Sequence, residues 1–81
     1  MILVKKEYET DLHGFKAWSG GKDTLNELTF EQVESIDEML SEWHSDGIDE
    51  TELNDFLWFE RDYIAELLGY SDFDELMEHN K

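Results

Sequence analysis

The chain is expected to fold as a mainly α domain of the α+β class, a small bundle of three to four short helices with one N-terminal β-strand or hairpin. Three observations point there. Apolar residues recur at helical spacing from Phe30 onward; helix start and stop residues bracket those runs; and only the opening residues alternate as a strand does. With 81 residues the chain can build one core, because a domain this small buries only about 60% of the surface its unfolded form exposes. Five Phe, three Trp and three Tyr supply that core, each worth on the order of 150–250 Å² of buried area. There is no proline, linker-like tract or repeat period, so residues 1–81 read as a single domain.

Residues 2–9 are the expected strand, with Ile2 and Val4 alternating against Leu3 and Lys5 before a polar stop at Glu9-Thr10-Asp11. One strand needs a partner. That partner is expected to be an extended piece near residues 15–18, one around Gly47-Ile48, or the same strand of a second copy. Ser19-Gly20-Gly21 reads as a break, followed by no more than a short helical turn over residues 23–28. Thr29 opens the clearest helix, with Gln32 in capping-box position. Phe30, Val33, Ile36, Leu40 and Trp43 form its buried stripe, and Gly47 suits the left-handed position that ends it. A second helix is expected over about residues 49–59, with Leu53, Phe56 and Leu57 facing in. A third covers about residues 62–68, closed by Gly69. The last covers about residues 72–79, capped by Ser71, with Phe73, Leu76 and Met77 inward.

Charge is the main functional clue. Six basic residues against 22 acidic ones give a formal net charge of −16, well beyond the magnitude of about 2–8 that solubility asks of a small domain. The imbalance is also local. Residues 1–22 hold four lysines against three acids, whereas residues 23–81 hold only Arg61 and Lys81 against 19 acids. Such a field repels nucleic acid and anionic membrane and draws in basic partners. The absence of cysteine excludes disulfides and thiolate metal clusters and agrees with a reducing compartment. The short apolar start, Met1 to Val4, precedes Lys5 and Lys6 and is too brief for an export signal. A cytoplasmic protein of a bacterial host is expected, with no membrane span.

Catalytic and metal motifs fail on spacing. The run from Asp46 to Leu53 resembles the end of a calcium-binding helix-loop-helix, but Gly47 and Ile48 are adjacent where one residue should intervene. His13, His44 and His79 form no ligand pair. Ser19-Gly20-Gly21-Lys22 lacks the spacing of a phosphate loop. Ile64 to Phe73 resembles the turn of a helix-turn-helix, yet Asp72, Asp74, Glu75 and Glu78 occupy the helix that would have to meet phosphates. No enzyme activity and no cofactor are expected.

Two features stand out. Glu31, Glu34, Glu38 and Glu42 form an i, i+3, i+7, i+11 row with Asp37 beside it, and a like-charged row on one helix opposes folding by a few tenths of a kcal/mol per neighbouring pair. Phe56-Leu57-Trp58-Phe59 places four large apolar residues on consecutive helical positions, about 100° apart. They cannot all face one core. Either other helices surround them, or Trp58 or Phe59 is an exposed anchor.

The stretch Glu52-Leu53-Asn54-Asp55-Phe56-Leu57-Trp58-Phe59-Glu60, continued by Ile64-Ala65-Glu66-Leu67-Leu68-Gly69-Tyr70 and preceded by Trp18-Ser19-Gly20-Gly21-Lys22-Asp23-Thr24, resembles segments of small acidic proteins of phages, prophages and other mobile elements. That class includes DNA mimics and anti-CRISPR proteins. The resemblance implies a non-enzymatic inhibitor that presents carboxylates to the basic nucleic-acid-binding groove of a host protein such as a CRISPR nuclease. Glu31, Glu34, Asp37, Glu38 and Glu42 are the first candidates for contact, then Asp49, Glu50, Asp72, Asp74 and Glu75, with Trp58 as anchor. The alternative is an acidic structural or regulatory adaptor, homodimeric through the first strand or Trp58.

Overall fold

The computed structural model describes residues 2–4, 8–10 and 12–81, with side chains placed from residue 12 onward. Strands β1 (Ile2–Val4) and β2 (Tyr8–Thr10) pair antiparallel with Leu3 opposite Glu9, and β1 lies against the second helix. The strand expected over residues 2–9 runs through positions 5–7, which lie outside the described residues. Five helices follow: α1 (Ser19–Glu27), α2 (Phe30–Trp43), α3 (Glu50–Phe59), α4 (Arg61–Leu67) and α5 (Phe73–Asn80). The chain is mainly helical, with one helix more than the three to four expected.

Local chemistry sets the start of α2, α3 and α5. On α2 the Thr29 hydroxyl accepts from the Gln32 N–H at 3.2 Å, and the Thr29 N–H donates to Gln32 Oε1 at 3.0 Å, a reciprocal box that satisfies two otherwise orphaned donors. Asp49 caps α3 by accepting from the Thr51 and Glu52 N–H groups at 2.9 and 3.4 Å. On α5 the cap is Asp72, not Ser71. The Asp72 carboxylate accepts from the Glu75 N–H at 2.9 Å, while the Ser71 N–H donates back to Glu75 Oε2 at 3.0 Å. Serine sits one residue too early to reach the first turn. Gly69, at a φ of 94°, ends α4 in the left-handed conformation that favours glycine, whereas α2 stops earlier than expected, at Trp43 with His44 as its C-cap, and Gly47, at a φ of 100°, closes the turn that follows by donating its N–H to the His44 carbonyl at 2.8 Å.

Ile36, Leu53, Leu57, Ile64 and Leu76, drawn from α2 to α5, have no exposed surface and form the centre of the core. The expected α2 stripe is buried only in its middle, at Val33, Ile36 and Leu40. Phe30 and Trp43 are 70% and 48% exposed. They are the first and last residues of a 14-residue helix that extends beyond the core it covers. Phe30 stacks on the His13 ring, centroids 4.0 Å apart, and Trp43 turns toward Tyr63.

The largest departure from expectation is α1. Instead of a break at residues 19–21, the helix begins there, with Ser19 at a φ of 51° and no side-chain cap from Trp18. Packing against α3 drives it. A methyl group on Gly20 would collide with the Trp58 indole, and one on Gly21 with the Asn54 carboxamide. The glycines therefore mark a close helix crossing. Buried Asn54 accepts from the Trp18 N–H at 3.0 Å. Arg61 fastens the same region: its Nε donates to Thr24 Oγ1 at 2.8 Å, its Nη2 donates to the Gly20 carbonyl at 3.0 Å, and its guanidinium lies 5.5 Å from the centre of the Phe73 ring. At the far end, the Gln32 and Asn80 amides exchange hydrogen bonds at 3.0 and 2.8 Å, joining α5 to α2.

Candidate functional site

The four row glutamates of α2 are displayed together. Glu31, Glu34, Glu38 and Glu42 are all exposed, whereas Val33, Ile36 and Leu40 turn inward. At 1.5 Å rise per residue the row runs for about 16 Å on a single rigid element. Within the described residues Glu31, Glu38 and Glu42 form no ion pair, and Glu34 Oε2 faces His13 Nε2 at 3.4 Å.

Asp37 does not belong to that surface. It is fully buried, and its Oδ1 accepts from the Leu12 N–H at 3.0 Å, which ties the segment before α1 to the inner side of α2. One position past Ile36, it falls on the edge of the buried face. Sequence alone placed it beside the glutamates because it is acidic, without weighing that edge. Asp37→Ala leaves the Leu12 N–H without this acceptor in the interior. The expected cost is about 1–3 kcal/mol, read as a fall in Tm of about 4–8 °C per kcal/mol in a domain of this size. An unchanged Tm would refute a structural role for this carboxyl group.

The second group of acids is dispersed. Asp49, Asp72 and Glu75 are occupied in capping α3 and α5. Glu50 lies half-buried in the first turn of α3, and Asp74 is exposed in the first turn of α5. Acids at these places also interact favourably with the positive end of the helix dipole, typically by 0.3–1 kcal/mol. Trp58 is divided between two roles. Its ring covers Gly20 and stacks on Phe59 with centroids 4.8 Å apart, leaving it 38% exposed. The run of four apolar residues is thus resolved by position: Leu57 enters the core, Phe56 is half-buried, Trp58 roofs α1 and Phe59 remains 67% exposed.

A groove that the sequence reading missed lies between the end of α2, the outer side of α3 and the start of α4. Trp43, Phe56, Phe59 and Tyr63 line it, with Glu52, Asp55 and Glu60 around them, and its volume is about 420 Å³. Tyr63 stands 6.4 Å from Trp43 with rings 28° from parallel, and meets Phe56 edge-on at 6.3 Å. The signal was present in the sequence as aromatics at the ends of two helical stripes, but their meeting depends on how α2 and α4 are placed.

Among the described residues, no group of three or more His, Asp or Glu is arranged to hold a metal ion. The histidines are apart: His13 stacks on Phe30, His44 follows the last turn of α2, and His79 lies against Tyr70. Among the same residues no helix is long and apolar enough to cross a membrane. The chain matches no family model, and neither a curated protein nor a solved structure resembles it significantly.

Proposed function

We propose that this chain is a non-enzymatic protein-binding inhibitor that offers the α2 carboxylate row to the Lys/Arg-lined nucleic-acid groove of a bacterial host protein such as a CRISPR nuclease. The observation that carries the reading is the joint exposure of Glu31, Glu34, Glu38 and Glu42 on one face of one helix, with no lysine or arginine of the described residues paired to them. Neighbouring members of such a row stand roughly 5–6 Å apart, a spacing comparable to that of successive phosphates. A helix holds these charges in place before contact, so little ordering entropy is lost on binding. The surrounding acidic field steers the approach of a basic groove and raises the association rate.

The test is competition against DNA itself. A bacterial lysate is bound to duplex-DNA resin at low salt and eluted with the purified protein. Elution of a basic DNA-binding protein, fading as salt rises, is the expected result. Retention of every DNA-bound protein at low salt and saturating inhibitor overturns the proposal.

A further inference from the structure

We infer that the aromatic groove between α2, α3 and α4 receives an arginine side chain of the basic partner. The inference rests on the proposed function only in taking that partner to be basic, since none of the groove residues belongs to the α2 row. Trp43, Phe59 and Tyr63 each keep a large share of their surface in solvent, although they surround one recess with Phe56. Glu52, Asp55 and Glu60 stand at the same recess, and within the described residues none of the three is in an ion pair.

The occupant follows from charge. A purely apolar side chain would cover the rings but would also strip water from three carboxylates without replacing it. A second copy of this chain would bring another −16 to an already negative rim. A cation satisfies both parts of the site, by lying over the ring faces and by pairing with the carboxylates. Arginine fits better than lysine because its guanidinium is planar, stacks on aromatic rings, gives paired hydrogen bonds to a carboxylate and is more weakly hydrated. A recess of about 420 Å³ has room for one long side chain and its neighbours. The chain's own arginine already makes this kind of contact, at Phe73, and is committed there by its bonds to Thr24 and Gly20.

The experiment is a titration of the intact chain, followed by NMR through the Trp43 indole N–H, with three short Gly/Ser peptides that differ only in a central arginine, lysine or citrulline. Arginine is expected to bind most tightly, with lysine roughly threefold weaker and the neutral citrulline at least about tenfold weaker. Phe59→Ala, which removes an exposed ring, and Asp55→Asn are each expected to weaken arginine binding roughly three- to tenfold. The variant with glutamine at positions 31, 34, 38 and 42 is expected to bind the peptide as the wild type does. Failure of the DNA competition therefore leaves the groove result standing, and failure of the groove leaves the competition standing. Citrulline binding as well as arginine, or groove variants without effect, overturns the inference. So does a concentration-dependent dimer that Phe59→Ala dissociates, because the occupant is then a second copy.

Discussion

Glutamine at positions 31, 34, 38 and 42 together is expected to weaken displacement of host proteins from DNA by about a hundredfold at low salt while leaving the fold slightly more stable. The four side chains are exposed, and glutamine keeps their length and helix propensity. An exposed charge pair contributes about 0.2–1 kcal/mol, so four lost together amount to about 1–4 kcal/mol, a range whose middle is close to two powers of ten in affinity. Stability moves the other way. Three neighbouring like-charged pairs disappear, each worth about 0.2–0.5 kcal/mol, partly offset by loss of the favourable Glu31 at the helix start and of the Glu34 contact with His13. A net gain below about 1 kcal/mol is expected. A variant that displaces host proteins as well as the wild type while its melting point rises would show that the row is solvated surface without a partner.

Gly21→Ala should cost the fold about 2 kcal/mol, as much as the loss of the buried Asp37 carboxylate. In an ordinary helix alanine would be the better residue by about 1 kcal/mol. Here its methyl group would meet the Asn54 side chain and come within 2.9 Å of the Asn54 backbone oxygen, and backbone cannot step aside without moving α3. Such overpacking costs about 1–3 kcal/mol. Displacing the Asn54 amide also endangers its bond from the Trp18 N–H, worth about 1 kcal/mol. Thermal unfolding followed by circular dichroism should register a drop of roughly 8–16 °C. Gly20→Ala makes an informative comparison. Its obstacle is the ring of Trp58, which is part-exposed and can swing outward at the expense of its stack on Phe59, so a smaller loss is expected. A higher melting point for Gly21→Ala would rule out the close crossing of α1 and α3.

The contrast between α1 and α2 explains what could be read from residues alone. Helix α2 announces itself through Thr29, Gln32 and the spacing of Val33, Ile36 and Leu40, all of which act within a few positions of one another. Local interactions suffice, and local interactions are what a sequence displays. Helix α1 has two glycines in its first turn and no side-chain cap, features that argue against a helix until α3 is laid against it. Asn54 and Arg61 were missed for the same reason, since their partners lie 36 to 41 positions away. Arg61 did leave a trace, being one of only two bases after Lys22. The glutamate row was legible because a single helix defines it. The aromatic groove was not, because three elements must meet to form it. Asp37 shows the limit of charge patterning, since a carboxyl group one position from a core isoleucine can take either side of the boundary.

Arg61 is engaged with α1 and Phe73, Lys81 pairs with Glu78, and no lysine or arginine of the described residues pairs with the α2 glutamates, of which only Glu34 meets a basic ring, that of His13. In the free molecule their charge is balanced by mobile salt cations gathered along the helix. A docking groove that supplies its own lysines and arginines sets those ions loose, so association gains translational entropy from the solvent, as it does when a protein neutralises the phosphates of a nucleic acid. The helix would then imitate a polyanion in its ion atmosphere as well as in its shape.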